Sequence, residues 1–237
     1  MMPLCSLALA LAAALATGAY AGEGEKASVK PELPSLRLDV KAKTIEIDGT
    51  FCLGECPLEL LACQNTMRDY EALISSPCKP SLLHASLLAL GLKPRVRDSK
   101  DPGKVLSEGD PVAVLIRFVR DGKDVTLEPR EFILHIESKK HVADTPFVFY
   151  GSLLFPDPDN EKRMIYLADA ENWLIGVLGD TASVIDLPRD AVQQYGAIAI
   201  DKKVAPAKGT KVTLIIRPAE QRGPARPARG EAEPPAK

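Results

Sequence analysis

Four cysteines, Cys52, Cys56, Cys63 and Cys78, fall within one short segment, and they are the residues whose type and spacing bear most directly on chemistry. In an oxidising compartment an even set of this kind is expected to close two disulfides. Cys52–Cys56 with Cys63–Cys78 is the favoured pairing, because the first two can meet across Leu53-Gly54-Glu55. Cys52–Cys63 with Cys56–Cys78 stays open as the competing pattern. A loop of about sixteen residues closed by a disulfide gains roughly 3 kcal/mol from chain entropy, and a loop of about five gains roughly 2. The rival chemistry is a zinc or iron–sulfur centre on the same four thiolates. The spacing C-x3-C-x6-C-x14-C lacks both the C-x2-C knuckles of zinc sites and the C-x2-C-x2-C run of a cubane cluster. Redox exchange normally uses C-x-x-C with a depressed thiol pKa. Here the spacer is one residue longer and contains Glu55, whose charge would raise that pKa.

The second chemical candidate is His84 with Glu71, brought together by the turn at Ser75-Ser76-Pro77. A His–carboxylate pair can act as a base or hold a metal. Because His84 lies among leucines, a buried, hydrogen-bonded structural histidine is the favoured reading. Asp169 could add a carboxylate, and is otherwise expected to cap the turn into Trp173. His135 and His141 share no ligand spacing with His84. Ser152 lacks the second glycine of a G-x-S-x-G elbow, and a strand glycine at Gly151 is the simpler account. No phosphate loop or dinucleotide fingerprint is present.

The elements that must position these groups read mainly as strands. Ile45, Ile47 and Phe51 alternate with polar residues, and so do Val112, Val114, Ile116 and Phe118. Asp121-Gly122 predicts a hairpin into Val125-Thr126-Leu127, and Asp48-Gly49 predicts a turn or bulge. Further strands are predicted over residues 147–155, 164–168, 173–177, 183–187, 196–200 and 212–216. One clear helix is predicted over residues 80–91, opened by Pro80-Ser81 and ended by Gly91. It is apolar nearly all round, so burial on more than one side is expected. A short helix is also expected near residues 67–74. Glu131 to Ile136 fits strand or helix, and residues 95–109 read as a polar loop. The fold class expected is α+β: one mostly antiparallel β domain with a single buried helix.

The ends and the composition set the compartment. Residues 1–21 read as a signal peptide, with an apolar run from Leu7 to Ala16 and an Ala19-Tyr20-Ala21 cleavage site. Residues 22–35 form a linker, 36–218 the domain, and 219–237 a Pro/Ala/Arg/Glu tail too poor in large apolar groups to order itself. The formal net charge of −2 leaves no basic footprint for nucleic acid. No stretch of the mature chain is long and apolar enough for a membrane span. Export to the periplasm or beyond is expected.

Several segments carry a family resemblance. Gly54-Glu55-Cys56-Pro57-Leu58-Glu59-Leu60-Leu61-Ala62-Cys63 resembles the G-x-L-E…C segment of the YdjY-domain family. Arg68-Asp69-Tyr70-Glu71-Ala72 is similar to its K-x-[YH]-E-[SA] element, with Arg68 in place of Lys. Lys79-Pro80-Ser81 and His84-Ala85-Ser86-Leu87-Leu88-Ala89-Leu90-Gly91 look like its KP…HAALLxLG segment. Val148-Phe149-Tyr150-Gly151-Ser152, Ala168-Asp169 and Gly209-Thr210-Lys211-Val212 follow in the family's order. The resemblance implies an exported bacterial protein of poorly defined function, and some members carry a ferredoxin-like label that the cysteine spacing here does not support. Taken with the residues, it favours a non-catalytic module that binds a protein, an envelope component or a small ligand without a cofactor. The alternative is an electron-transfer or metal protein using the Cys52–Cys78 segment. A hydrolase centred on His84, Glu71 and Asp169 is the third.

Overall fold

The computed structural model describes residues 35–52, 57–65, 68–98, 100–101, 103–189 and 191–219. The expected leader, most of the linker, the tail beyond residue 219 and Cys56 lie outside the described residues. In chain order the strands are β1 (Leu36–Asp39), β2 (Thr44–Phe51), β3 (Leu60–Gln64) and β4 (Ala72–Ser76). Helix α1 (Pro80–Ala89) follows, then β5 (Val96–Arg97), β6 (Val105–Ser107), β7 (Pro111–Arg120), β8 (Lys123–Leu127) and β9 (Ile133–His135). The remainder comprises β10 (Phe147–Phe149), β11 (Leu154–Asp157), β12 (Asn160–Tyr166), α2 (Leu167–Glu171), β13 (Trp173–Gly176), β14 (Ile185–Asp186), β15 (Ile198–Ile200) and β16 (Lys211–Pro218).

Eight of these close on themselves in the order β2-β16-β7-β10-β14-β13-β3-β4, and β4 pairs back to β2. Closure removes the open edges that a flat sheet would present. Most pairings are antiparallel, while β3–β4 and β13–β14 run parallel. Strands β1 and β8 extend the ring outside β2 and β7. The predicted alternations supply the interior: Ile45, Ile47, Phe51, Val112, Val114, Ile116, Phe118, Val212, Leu214 and Ile216 are all buried. Phe51 meets Phe118 edge to face and Phe132 at a tilt, with centroids 5.5 and 5.7 Å away. Asp121 and Gly122 both have positive φ, as the tight hairpin between β7 and β8 requires.

Several sequence expectations are corrected. The domain is mostly β, as expected, and its strands close into an eight-stranded barrel with little helix beside it. Helix α1 buries Leu83, Ser86 and Leu87 but leaves Ala85, Leu88 and Ala89 exposed. It packs against α2 and β13 and, through His84, against Phe149 and Tyr166, which leaves one stripe exposed. Asp48-Gly49 makes no turn. Strand β2 runs through it, and glycine is needed because a Cβ there would lie 2.8 Å from the Ser75 carbonyl oxygen on β4. The helix expected near residue 70 is a single 3-10 turn, Asp69–Glu71, leading into β4. The Phe147–Phe155 strand is two strands, separated where Gly151 and Ser152 adopt positive φ. Glu131–Ile136 is both things at once, the end of a 3-10 turn followed by β9.

Candidate functional site

The lysine at the α1 N-cap offers no side-chain acceptor to the helix's first amides. Asp169 of α2 supplies one from outside: its Oδ1 accepts the Ser81 N–H at 2.8 Å, and its Oδ2 lies 3.1 Å from Lys79 Nζ. Asp169 therefore anchors one helix to another, and the expected cap into Trp173 is not formed. Asn172 makes that turn instead, in the left-handed region.

This anchoring sets the position of His84. Its Nδ1 lies 2.8 Å from the Tyr166 hydroxyl, which donates to the Gly151 carbonyl at 3.1 Å. That order places the proton of the neutral ring on Nδ1. The ring also packs edge to face on Phe149 and Tyr166. Burial holds the His84 pKa below its ordinary value, and burial likewise pushes the Tyr166 phenol up. Glu71 is elsewhere. Buried itself, it pairs with Arg68 at 3.0 Å, and Arg68 also holds Glu171 at 2.9 Å and lies over the Trp173 ring. No His84–Glu71 dyad forms, because the 3-10 turn before β4 and helix α1 carry the two residues to different neighbours. The His84–Tyr166 pair ties α1 to the end of β12 and, through the Gly151 carbonyl, to the turn after β10. Ser152, beside Gly151, buries its Oγ without a hydrogen-bond partner among the described residues.

Cys52, Cys63 and Cys78 are free and buried, so the expected Cys63–Cys78 disulfide is not formed. The β3–β4 register sets Cys63 opposite Ser75, and Cys52 follows the last residue of β2. The Cys52 and Cys63 thiols both engage the Ser75 hydroxyl. The Cys78 sulfur contacts the Lys79 carbonyl oxygen instead. Burial pushes Cys52 up to about 11 and Cys63 and Cys78 up to about 12. No three His, Cys, Asp or Glu residues gather as a metal site among the described residues.

Two concavities escaped the sequence reading. A groove of about 1020 Å³ runs beside β7 and β10, with Val112, Val114, Ile133, Phe147 and Ile198 among its lining. Glu128, Arg130 and Asp144 edge it, and Arg130 pairs with Glu128 at 2.7 Å, so much of its charge is internally matched. A smaller recess of about 450 Å³ lies against Tyr150, lined in part by Arg95, Arg97 and Arg189. Next to it Asp186, fully buried at the end of β14, accepts N–H groups from Gly179 (3.0 Å), Asp180 (3.2 Å) and Leu187 (2.7 Å). Burial pushes the Asp186 carboxyl up to about 7 against the pull of those three donors. The sequence signal for these groups was weak. Arg95 and Arg97 sat in a polar stretch that reads as solvated loop, and Asp186 was one acid within a short apolar strand.

Fold and cavities together define a small closed β-barrel with concave surfaces and no assembled catalytic constellation among the described residues. The YdjY domain profile matches residues 36–217, and the chain belongs to that family. No curated protein and no solved structure matches it. Among the described residues no helix is long and apolar enough to cross a membrane.

Proposed function

We propose that this chain is an exported, non-catalytic module that binds a small, largely apolar ligand, with no cofactor, in the periplasm or outside the cell. The groove of about 1020 Å³ carries the reading, since it falls at the upper end of ordinary ligand pockets and joins an apolar floor to a few polar groups. The charges at its edge are already paired in part, which favours a neutral occupant over a strongly charged one. The His84–Tyr166 lock and the separation of Glu71 from His84 support a scaffold role for the residues that might otherwise have been catalytic.

The test is titration with the neutral fluorophore N-phenyl-1-naphthylamine. Saturable one-to-one binding is expected, and Ala113→Trp, which fills the groove wall, should weaken it by about tenfold or more without lowering the melting temperature. Absent binding, or binding indifferent to Ala113→Trp, would remove the groove from consideration.

Disulfide bracing belongs to the same reading. In an oxidising compartment Cys52 and Cys63 are the described pair best placed to join, because both engage Ser75. Closing that loop of about twelve residues would add roughly 3 kcal/mol. Non-reducing peptide mapping of periplasmic protein should recover the Cys52–Cys63 crosslink. Free thiols at both positions would exclude it.

A further inference from the structure

The groove of about 1020 Å³ opens along an edge of β7 that the barrel wall leaves incomplete. On its other edge β7 pairs continuously with β16, from Val112 opposite Pro218 to Phe118 opposite Val212. On the groove edge two strands share it. β8 takes Ile116 to Arg120, ending with Leu127 opposite Ile116, and β10 takes Pro111 and Val112, starting with Phe147 opposite Val112. Between them residues 113–115 have no strand beside them on that edge.

The direction of the backbone groups there follows from the register. In an antiparallel pair, alternate residues turn both N–H and C=O to the same neighbour. The Ala219 N–H donates to the Pro111 carbonyl at 3.0 Å, so Pro111, Ala113 and Leu115 face β16. On the opposite edge the Phe149 N–H donates to the Asp110 carbonyl at 2.9 Å, so Val112, Val114 and Ile116 face β10, the groove and β8 in turn. Val114 therefore presents both its N–H and its C=O to the groove, and neither has a hydrogen-bond partner among the described residues. Yet Val114 is only 4% exposed, and backbone groups so deep in a wall are nearly always bonded.

The neighbouring strands do not fill the position. Extending the β8 register sets Pro129 opposite Val114, and proline has no N–H to give the Val114 carbonyl. Pro129 opens a 3-10 turn instead. Extending the β10 register sets Thr145 there, but Pro146 follows it and β10 begins only at Phe147. A residue placed opposite Val114 would turn its side chain to the face of Val112, Val114 and Phe147, all buried and apolar. Its neighbours would turn outward beside Ala113 and Leu115, toward the edge where Glu128 and Arg130 stand.

We infer that the groove takes an extended apolar peptide, one residue of which pairs its own N–H and C=O with Val114 and sends its side chain into the wall between β8 and β10. This rests on the groove reading and names its occupant. A lone trans amide does not serve, because its N–H and C=O point opposite ways, whereas those of one strand residue point the same way.

Isothermal titration of the full mature chain with acetyl-Ala-Leu-Ala-amide tests this, with amide exchange followed by NMR on the same sample. One-to-one binding with a Kd below about 1 mM is expected. N-methylation of the central leucine removes its donor and should weaken binding about tenfold or more. Aspartate in its place should weaken binding at least as much, because its charge would enter an apolar wall. In the free protein the Val114 amide should exchange about tenfold faster or more than those of Ala113 and Leu115, which are bonded to β16, and the peptide should slow it. No peptide binding at about 10 mM, equal affinity for the N-methyl peptide, or a Val114 amide as slow as its neighbours in the free protein would overturn the inference. N-phenyl-1-naphthylamine binding that persists while the peptides fail would leave the groove as a ligand site and remove only its peptide occupant. The peptide is read by heat and by exchange, so its outcome does not depend on the fluorophore.

Discussion

Replacing Asp186 with alanine gives the sharpest test of how the barrel wall next to the arginine recess is held. The carboxylate accepts three backbone N–H groups, from Gly179, Asp180 and Leu187, in a setting with no solvent exposure. Each orphaned buried amide costs about 1–3 kcal/mol. Partial hydration of the turn brings the expected total to about 3–6 kcal/mol at pH 5. The pH dependence follows from the raised carboxyl. Its folded pKa of about 7 exceeds the unfolded value near 4, so the native state holds the proton more tightly between them. Wild-type stability therefore falls as pH rises through that window, by about 2.5 kcal/mol between pH 5 and pH 8. Asp186→Ala lacks this contribution, so its deficit should shrink to about 1–3 kcal/mol at pH 8. Urea unfolding at both pH values, followed by the single tryptophan, Trp173 on neighbouring β13, measures it directly. A deficit under about 1 kcal/mol at pH 5 would refute the amide cradle. An equal deficit at both pH values would refute the raised carboxyl.

Four further outcomes are expected. Tyr166→Phe removes the hydroxyl that links His84 Nδ1 to Gly151, and should cost about 1–2 kcal/mol by chemical denaturation. Since burial holds the His84 pKa down, its contribution to stability is present at neutral pH and lost on acidification below the unfolded value near 6.5; His84→Phe should flatten that part of the stability profile. Arg68→Ala strands buried Glu71, and a loss of about 1–3 kcal/mol is expected, with the lower figure reflecting partial solvent access to Arg68; a double-mutant cycle with Glu71→Gln should recover most of it. Gly109→Ala would bring a Cβ to 1.9 Å from the Phe149 carbonyl oxygen, so a drop of about 2–3 kcal/mol in thermal or urea unfolding is expected.

The strand content could be read locally. Alternation at Ile45-Ile47, along Val112 to Phe118 and along Val212 to Ile216 reports which face is buried, because successive side chains of a strand point to opposite sides. The Asp121-Gly122 hairpin and the Gly91 stop after α1 were equally local, since positive φ is a property of the residue itself. Where a residue's role depended on a distant strand, the local signal misled. Gly49 looked like a turn and is a close-approach point for β4, and the leucine-rich α1 looked apolar all round although Ala85, Leu88 and Ala89 form an exposed stripe.

What the sequence settled by itself was therefore the β-rich class, the interior faces of its longest strands and the family signature. Tertiary structure alone decided the rest: that β4 returns to β2 and closes a barrel, that His84 meets Tyr166 rather than Glu71, that Cys63 shares Ser75 with Cys52 rather than bonding Cys78, and that Arg95 and Arg97 face Arg189. The physical reason is common to all four. Side-chain periodicity and turn preference act over a few residues, whereas these partnerships are selected by strand pairing between segments that nothing in local sequence ties together.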